Sequence, residues 1–309
     1  LWVGTDGGGI ARLDRAARTF VVYQHEAGND LSLSDNHIRR LVEDASGRFW
    51  IGTASGLSLF DPETARVTRI HHVPDDPMSL PSGQVLSIYP DDRGTIWVGT
   101  ESGLAEWQPE SGGFARYGAS RVSRTALVND RMNAIVQDRS GVLWLATHGG
   151  VSAWNYLSDT FRYYSASERF LASDVVTSIA EARDGTLWAG TYGGGLSRVR
   201  LAAGDVKHFR HAPADPRSLA DDRVMAVHVD ANDVVWAGTR SGGLCRLEPG
   251  SDRFDRFTYR PDDPSSIGGN TITSIFGASN GALWIGVFDG GLSRMQTGSD
   301  GQFTRFVHD

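Results

Sequence analysis

The sequence predicts an all-β fold, a seven-bladed β-propeller of four-stranded antiparallel blades, and three observations predict it. First, one short motif recurs: LWVGT at 1–5, FWIGT at 49–53, IWVGT at 96–100, LWLAT at 143–147, LWAGT at 187–191, VWAGT at 235–239 and LWIGV at 283–287. Second, the tryptophans of these motifs lie 48, 47, 47, 44, 48 and 48 residues apart. Third, each period holds four short apolar runs punctuated by turn residues, and no run shows helical spacing over ten or more positions. Self-similarity at a period of 40–50 residues with four strands per unit describes a propeller blade, whereas solenoids need helices or more numerous repeats.

The second unit shows each element in order. Ile38 to Glu43 reads as strand one, bounded by polar loop residues. Asp44-Ala45-Ser46-Gly47 supplies turn chemistry, and Phe49 to Thr53 is strand two. Ala54-Ser55-Gly56 turns the chain into Leu57 to Phe60, strand three. Asp61-Pro62-Glu63-Thr64 turns it again into Val67 to His71, strand four. Strands joined by such short turns pair antiparallel.

Seven units at this period leave no room for a second fold, so residues 1–309 read as a single propeller. Its blades run approximately 1–30, 31–78, 79–125, 126–170, 171–217, 218–265 and 266–309. The first blade lacks its innermost strand in this fragment, because the chain opens directly at strand two. The expectation is 27 strands instead of 28, with the missing one placed just after Asp309 in space. It would come from residues before Leu1 or after Asp309, and both ends are expected to continue in the full protein.

Trp2, Trp50, Trp97, Trp144, Trp188, Trp236 and Trp284 are expected in the core. A blade must bury both faces against its neighbours, and one large side chain at a fixed place fills that wedge. A buried Trp hides roughly 150–250 Å², which at about 25 cal/mol per Å² is roughly 4–6 kcal/mol as an upper bound. Trp107 and Trp154 take the strand-three slot held by Leu13 and Phe60, so packing is their reading too. Arg12, Arg198, Arg246 and Arg294 recur one residue earlier and read as structural ion pairs or a solvated edge.

Composition excludes several classes. The chain has 37 Asp and Glu against 30 Lys and Arg, a formal net charge of −7, so nucleic acid and anionic membrane surfaces are not its partners. Cys245 is the one cysteine, so an intramolecular disulfide and a cysteine-based metal site are excluded. It reads as a small buried residue. No apolar run of about 18 residues occurs. No cofactor motif is present. His71-His72 lacks a spaced third metal ligand, and Asp75-Asp76 and Asp262-Asp263 lack a calcium-loop pattern. The glycine runs 7–9 and 193–195 precede strands, not helices, so they are hairpin turns needing positive φ, not phosphate loops.

The unit consensus, V-x-x-I-x-x-D-x-x-G-x-L-W-x-G-T-x-x-G-G-L-x-R-L-D, then F-x-x-Y and a D-P-x-S-L loop, resembles the two-component regulator propeller repeat. Its best copies are Ile38 to Phe60 and Val224 to Leu247, with the loop at 76–80, 215–219 and 263–267. The resemblance covers the whole chain. It implies an extracytoplasmic, periplasmic sensor region of a bacterial receptor. Such a region is usually followed by a β-sandwich, a membrane helix and a cytoplasmic histidine kinase or diguanylate cyclase. The repeat is scaffold and hands over no catalytic residue, so the fragment itself is read as non-enzymatic. Departures are Val287 for the Thr, Ala146 for the Gly, and Ala182 and Ala278 for the turn Asp; each is expected to be tolerated.

Positions that vary where the scaffold is fixed are the candidate site. The residue after each W-x-G-T motif runs Asp6, Ala54, Glu101, His148, Tyr192, Arg240, Phe288. The residue before strand one runs His37, Gln84, Arg131, Val175, Arg223, Thr271. Both sets are expected near the mouth of the channel and mix charge with aromatics, as a small polar or carbohydrate-like ligand requires. The ligand-binding candidates are Asp6, His37, Gln84, Glu101, Arg131, His148, Tyr192, Arg223, Arg240 and Phe288. Two other function classes compete. One is a propeller enzyme, a lyase or hydrolase, with Glu101 and His148 as an acid–base pair. The other is a protein-docking or homodimerisation platform.

Overall fold

The computed structural model describes residues 1–14, 16–17, 19–120, 126–156, 160–296 and 301–307; Asp309 lies outside them. Seven antiparallel sheets, three strands in the first and four in each of the others, form a seven-bladed β-propeller. Strands follow chain order across every sheet. Helix among the described residues is confined to one 3₁₀ turn, Leu201–Ala203. By Cα proximity the chain divides into two compact units. One is Leu1–His148 with Ser152–Arg162, and the other is Gly149–Val151 with Tyr163–Asp309.

In blade 2 the strands are Ile38–Glu43, Phe49–Thr53, Gly56–Asp61 and Arg66–Ile70. Strand three therefore starts one residue earlier than expected, and strand four ends one residue sooner. The first strand of six blades also carries a bulge that the alternation did not reveal, between Ile38 and Arg40 in blade 2 and at the matching place in blades 3 to 7. The extra residue leaves the ladder and its side chain is freed for other partners. In blade 5 it is Thr177, whose Oγ1 donates towards Gly190 O (2.9 Å) and Val224 O (2.7 Å) of blade 6.

Within each unit the motif residues join one blade to the next. Trp50 lies in a cluster with Leu80, Val85 and Phe114 of blade 3. Trp97 packs with Leu127, Met132 and Trp154 of blade 4. In the second unit Trp188 joins Leu219, Val224 and Phe254 of blade 6, and Trp236 joins Ile267, Ile285 and Phe303 of blade 7. The motif glycine permits this approach: a Cβ on Gly190 would stand 2.7 Å from Val224 Cγ1. The motif threonine is buried and ties its own hairpin, as Thr53 Oγ1 does by donating to Gly56 O at 2.8 Å and Thr239 Oγ1 to Gly243 O at 2.8 Å.

Five motif tryptophans are buried as expected: Trp50, Trp97, Trp144, Trp188 and Trp236. Trp2 and Trp284 are only half-buried, which corrects the expectation of seven equivalent core indoles. Trp2 lies against Tyr23, Phe49 and Phe60 with the Arg12 guanidinium over its ring, and Trp284 lies against Phe306 with Arg294 over its ring. A guanidinium covers an indole face while its donors stay hydrated, so these two rings are shielded without being enclosed. Trp107 and Trp154 pack as read, 5.4 Å from Trp50 and 5.1 Å from Trp97.

Candidate functional site

In five blades the two variable positions come together through the backbone. The N–H of the residue after the motif donates to the carbonyl of the residue before strand one. This holds for Ala54 to His37 (3.2 Å), Glu101 to Gln84 (3.2 Å), Tyr192 to Val175 (2.9 Å), Arg240 to Arg223 (2.9 Å) and Phe288 to Thr271 (2.9 Å). Asp6 of blade 1 forms an isolated antiparallel bridge to His37 of blade 2, as Tyr192 of blade 5 does to Arg223 of blade 6. The pairing fixes where each Cα sits and leaves the side chain unconstrained, which is why the residue type varies from blade to blade.

In the first unit Glu101 and Arg131 form an ion pair across blades 3 and 4, both half-buried. His148 is exposed beside them. Partial burial and the Arg131 charge lower its pKa, against a smaller opposite pull from Glu101. Glu101 is thus held by Arg131, and among the described residues no hydrogen bond joins it to His148. The acid–base pairing considered above lacks its contact here. His37 is oriented by Asp35, which takes its backbone N–H at 2.7 Å and its Nδ1 at 2.8 Å and also accepts from Ser55 Oγ at 2.6 Å. Burial pushes the Asp35 carboxyl up, but these hydrogen bonds outweigh it and hold it at about 2. Asp6 and Gln84 stand exposed.

In the second unit three consecutive blades place Tyr192, Arg240 and Phe288 in one register. The Arg240 guanidinium lies 5.9 Å from the Tyr192 ring centroid. Tyr192 and Phe288 expose 39% and 54% of their surface, high for aromatic rings. Arg223 is gripped by Asp221 through Nε (3.1 Å) and Nη2 (3.0 Å) and also reaches Ser241 Oγ (2.9 Å). Burial raises the Asp221 carboxyl, and hydrogen bonds from Arg223 and Ser241 bring it below its ordinary value. Thr271 Oγ1 donates to the Arg240 carbonyl at 2.7 Å. The chemistry on offer is two cations and two exposed rings, suited to holding a polar ligand.

Sequence reasoning missed the side chains that brace this face. Asp35 and Asp221, with Ser55 and Ser241, hold His37 and Arg223. The signal was present as an Asp two residues before the candidate and a Ser two residues after the motif. The strand-four arginines were missed as well. Arg116 donates to Ser79 O (2.6 Å), Ser79 Oγ (2.6 Å), Asp76 O (2.5 Å) and Leu80 O (3.0 Å), clasping the D-P-x-S-L loop before its own blade. Arg69, Arg256 and Arg305 do the same. Their F/V-x-R spacing in strand four, together with the loop motif, was the available clue.

Other candidates resolve as scaffold. His72 Nδ1 bonds the Leu80 carbonyl (2.6 Å) in that same loop. Among the described residues no group of three or more His, Cys, Asp or Glu is placed to hold a metal ion. Cys245 is buried, and burial pushes its thiol up to about 11. Gly193 and Gly195 have φ of +100° and +81° in a hairpin turn, and at Gly195 a Cβ would meet Phe209 O. Arg198 and Arg246 pair with Asp205 (3.0 Å) and Asp255 (2.8 Å). Among the described residues no helix is long and apolar enough to cross a membrane.

Residues 32–55, 79–102, 126–149 and 171–193 match the family described as two component regulator propeller. No curated protein matches the chain significantly. Among solved structures, the chain resembles the extracellular domain of a putative hybrid two component system from B. thetaiotaomicron at 20% identity and TM-score 0.76, covering 94% of this chain and 37% of that one. It also resembles PorZ, a surface component of the type-IX secretion system of Porphyromonas gingivalis, at 16% identity and TM-score 0.66, covering 97% and 45%. Virginiamycin B lyase from Staphylococcus aureus is similar at 14% identity and TM-score 0.64, covering 88% and 84%. At these identities the likeness establishes the fold. The chain spans 37%, 44% and 40% of the length of the B. thetaiotaomicron extracellular domains it matches.

Proposed function

From the premise that this chain is built of two-component regulator propeller repeats, we propose that it is the ligand-sensing part of an extracytoplasmic bacterial signalling receptor. The observation that carries the reading is the similarity over 94% of the chain to an extracellular domain of a putative hybrid two component system. It joins the four family matches spread along blades 2 to 5. On this reading the propeller binds, through a candidate face that offers cations, exposed rings and ion pairs. Its location is periplasmic, and the single propeller precedes a β-sandwich and a membrane-anchored kinase or cyclase.

The ligand is small and polar, or carbohydrate-like. Each unit offers its own variable positions for it: Asp6, His37, Gln84, Glu101, Arg131 and His148 in the first, and Tyr192, Arg223, Arg240 and Phe288 in the second. Signalling then requires unequal affinity for two poses of the next domain. The test is calorimetric titration of a panel of mono- and oligosaccharides and organic acids against the chain and against Arg240→Ala and Arg131→Ala. The reading expects one ligand whose affinity drops about tenfold or more in a variant with unchanged melting. Catalytic turnover of any ligand that binds would overturn it, and so would unaltered affinity in both variants.

A further inference from the structure

The second unit carries a cation that the repeat leaves without a counter-ion. Elsewhere on the candidate face a carboxylate meets each arginine in one of two ways. In blade 6 an aspartate two residues earlier braces the candidate, as Asp221 does for Arg223 at 3.0 Å. Between blades 3 and 4 the residue after one motif meets the residue before the next blade's strand one, as Glu101 meets Arg131. Arg240 has neither. The residue facing it from blade 7 is Thr271, which gives its hydroxyl to the Arg240 carbonyl at 2.7 Å. Two residues before Thr271, where blade 6 has its bracing aspartate, stands Gly269. Arg240 is exposed, and among the described residues no carboxylate forms an ion pair with it.

The blades before and after put aromatic rings at the same place. Tyr192 follows the motif in blade 5 and Phe288 follows it in blade 7, and both rings are exposed. The Arg240 guanidinium lies 5.9 Å from the Tyr192 ring centroid. On the other side Thr271 links the two residues, accepting the Phe288 N–H at 2.9 Å while its hydroxyl holds the Arg240 carbonyl. A guanidinium beside a ring keeps its planar fork of N–H donors for a carboxylate, which it can grip through two bonds at once. Nearby acids are engaged elsewhere. Asp221 holds Arg223 and Ser241, and Asp222 takes the His211 N–H at 2.7 Å.

We propose that the ligand of this face carries a single carboxylate on a ring-shaped body, the carboxylate docking on Arg240 and the ring lying against Tyr192 and Phe288. The proposal rests on the reading that this face binds the sensed ligand, and it narrows that ligand to an acid. A sugar acid and an aromatic acid share the required chemistry, whereas a neutral sugar lacks the charge. A second negative charge is disfavoured, because Asp289 beside Phe288 is exposed and makes no ion pair among the described residues. Arg223 already has its carboxylate, so Arg240 is the cation that gains most from a ligand that brings one.

The test is calorimetric titration of the chain, at constant ionic strength, with glucuronate, galacturonate and benzoate, and with their neutral counterparts glucose, galactose and benzamide. One of the acids is expected to bind about tenfold or more tightly than its neutral counterpart, and which one does so separates a sugar acid from an aromatic acid. Arg240→Ala should abolish that preference and Arg240→Lys should restore part of it. Tyr192→Ala and Phe288→Ala should each weaken the acid severalfold with unchanged melting. Arg253→Ala removes the same charge from an exposed position just ahead of Phe254, and should bind the acid as the parent does. No binding of any of the three acids, or a preference that survives Arg240→Ala, would overturn the proposal. Neutral compounds that bind as well as the acids would also overturn it, while leaving the sensing reading in place.

Discussion

Blades 5 and 6 are consecutive, have the same four strands, and differ in how they are tied. In blade 6 Asp230 holds the Trp236 indole, Arg256 clasps the loop ahead of the blade through four bonds, and Asp221 braces Arg223. In blade 5 the three places hold Ala182, His208 and Ser173. His208 sits in the register of Arg256, opposite Ser197 as Arg256 is opposite Cys245, and bonds Ser197 Oγ at 3.0 Å. The loop it faces has no D-P-x-S-L motif and is held by Phe170 on Tyr164 instead. Arg and loop change together because a guanidinium needs converging carbonyls, which the turns ending in Ser-Leu or Ser-Ile present. The blade therefore tolerates loss of its polar ties as long as the apolar wedge is filled.

Six substitutions can break or sharpen this contrast. The largest effect is expected from Arg256→Ala, which strands several loop carbonyls. It should cost blade 6 about 3 kcal/mol by charge-assisted hydrogen bonding, read by urea unfolding, while His208→Ala in blade 5 should cost less than half of that. Equal losses would show that the clasp is not what distinguishes the blades.

The carboxylate brace comes next and carries a pH signature. Asp221, and Asp35 at the same place in blade 2, have folded-state pKa values below their ordinary ones. Their contribution is present above the unfolded-state value and is lost as pH falls through the folded one. For Asp35, going from 3.8 to about 2, this amounts to about 2 kcal/mol. Asp35→Asn should flatten the stability profile between about pH 4 and 2, measured by denaturation at a series of pH values. An unchanged acid limb would remove the brace from the account.

Asp230→Ala converts blade 6 to the blade 5 pattern. It removes acceptors for the Trp236 indole and for the backbone N–H groups of Asn232 and Val234. The expected cost is about 1–2 kcal/mol by the same unfolding assay. A neutral result would mean that water replaces the carboxylate. The smallest effect belongs to Tyr192→Ala and Phe288→Ala, which should stay within about 0.5 kcal/mol of the parent because both rings are exposed. A larger loss would reclassify them as scaffold.

Much of this was legible in the sequence. Blade 2 was read to within a residue at each strand end, and the turn, the tryptophan and the threonine all follow from one repeated motif. The candidate positions were read correctly as variable, and their backbone pairing follows from the repeat. The bulge at Ile38–Arg40 was not legible, because Arg39 looks like an ordinary alternating residue until the ladder is drawn. The half-burial of Trp2 and Trp284 was equally hidden, since their motifs read like the other five.

The sequence by itself determined the blade count, the strand order within a blade and which residue types fill the wedge, because these depend on local periodicity and turn chemistry. Only the tertiary structure decided that Asp44 and Trp50 meet as acceptor and donor, that Arg116 folds back on a loop about 40 residues earlier, and that His208 turns to Ser197 where Arg256 clasps its loop. Hydrogen bonds are directional and short. Whether two groups satisfy each other is therefore fixed by distances across strands and between blades, which spacing along the chain does not encode.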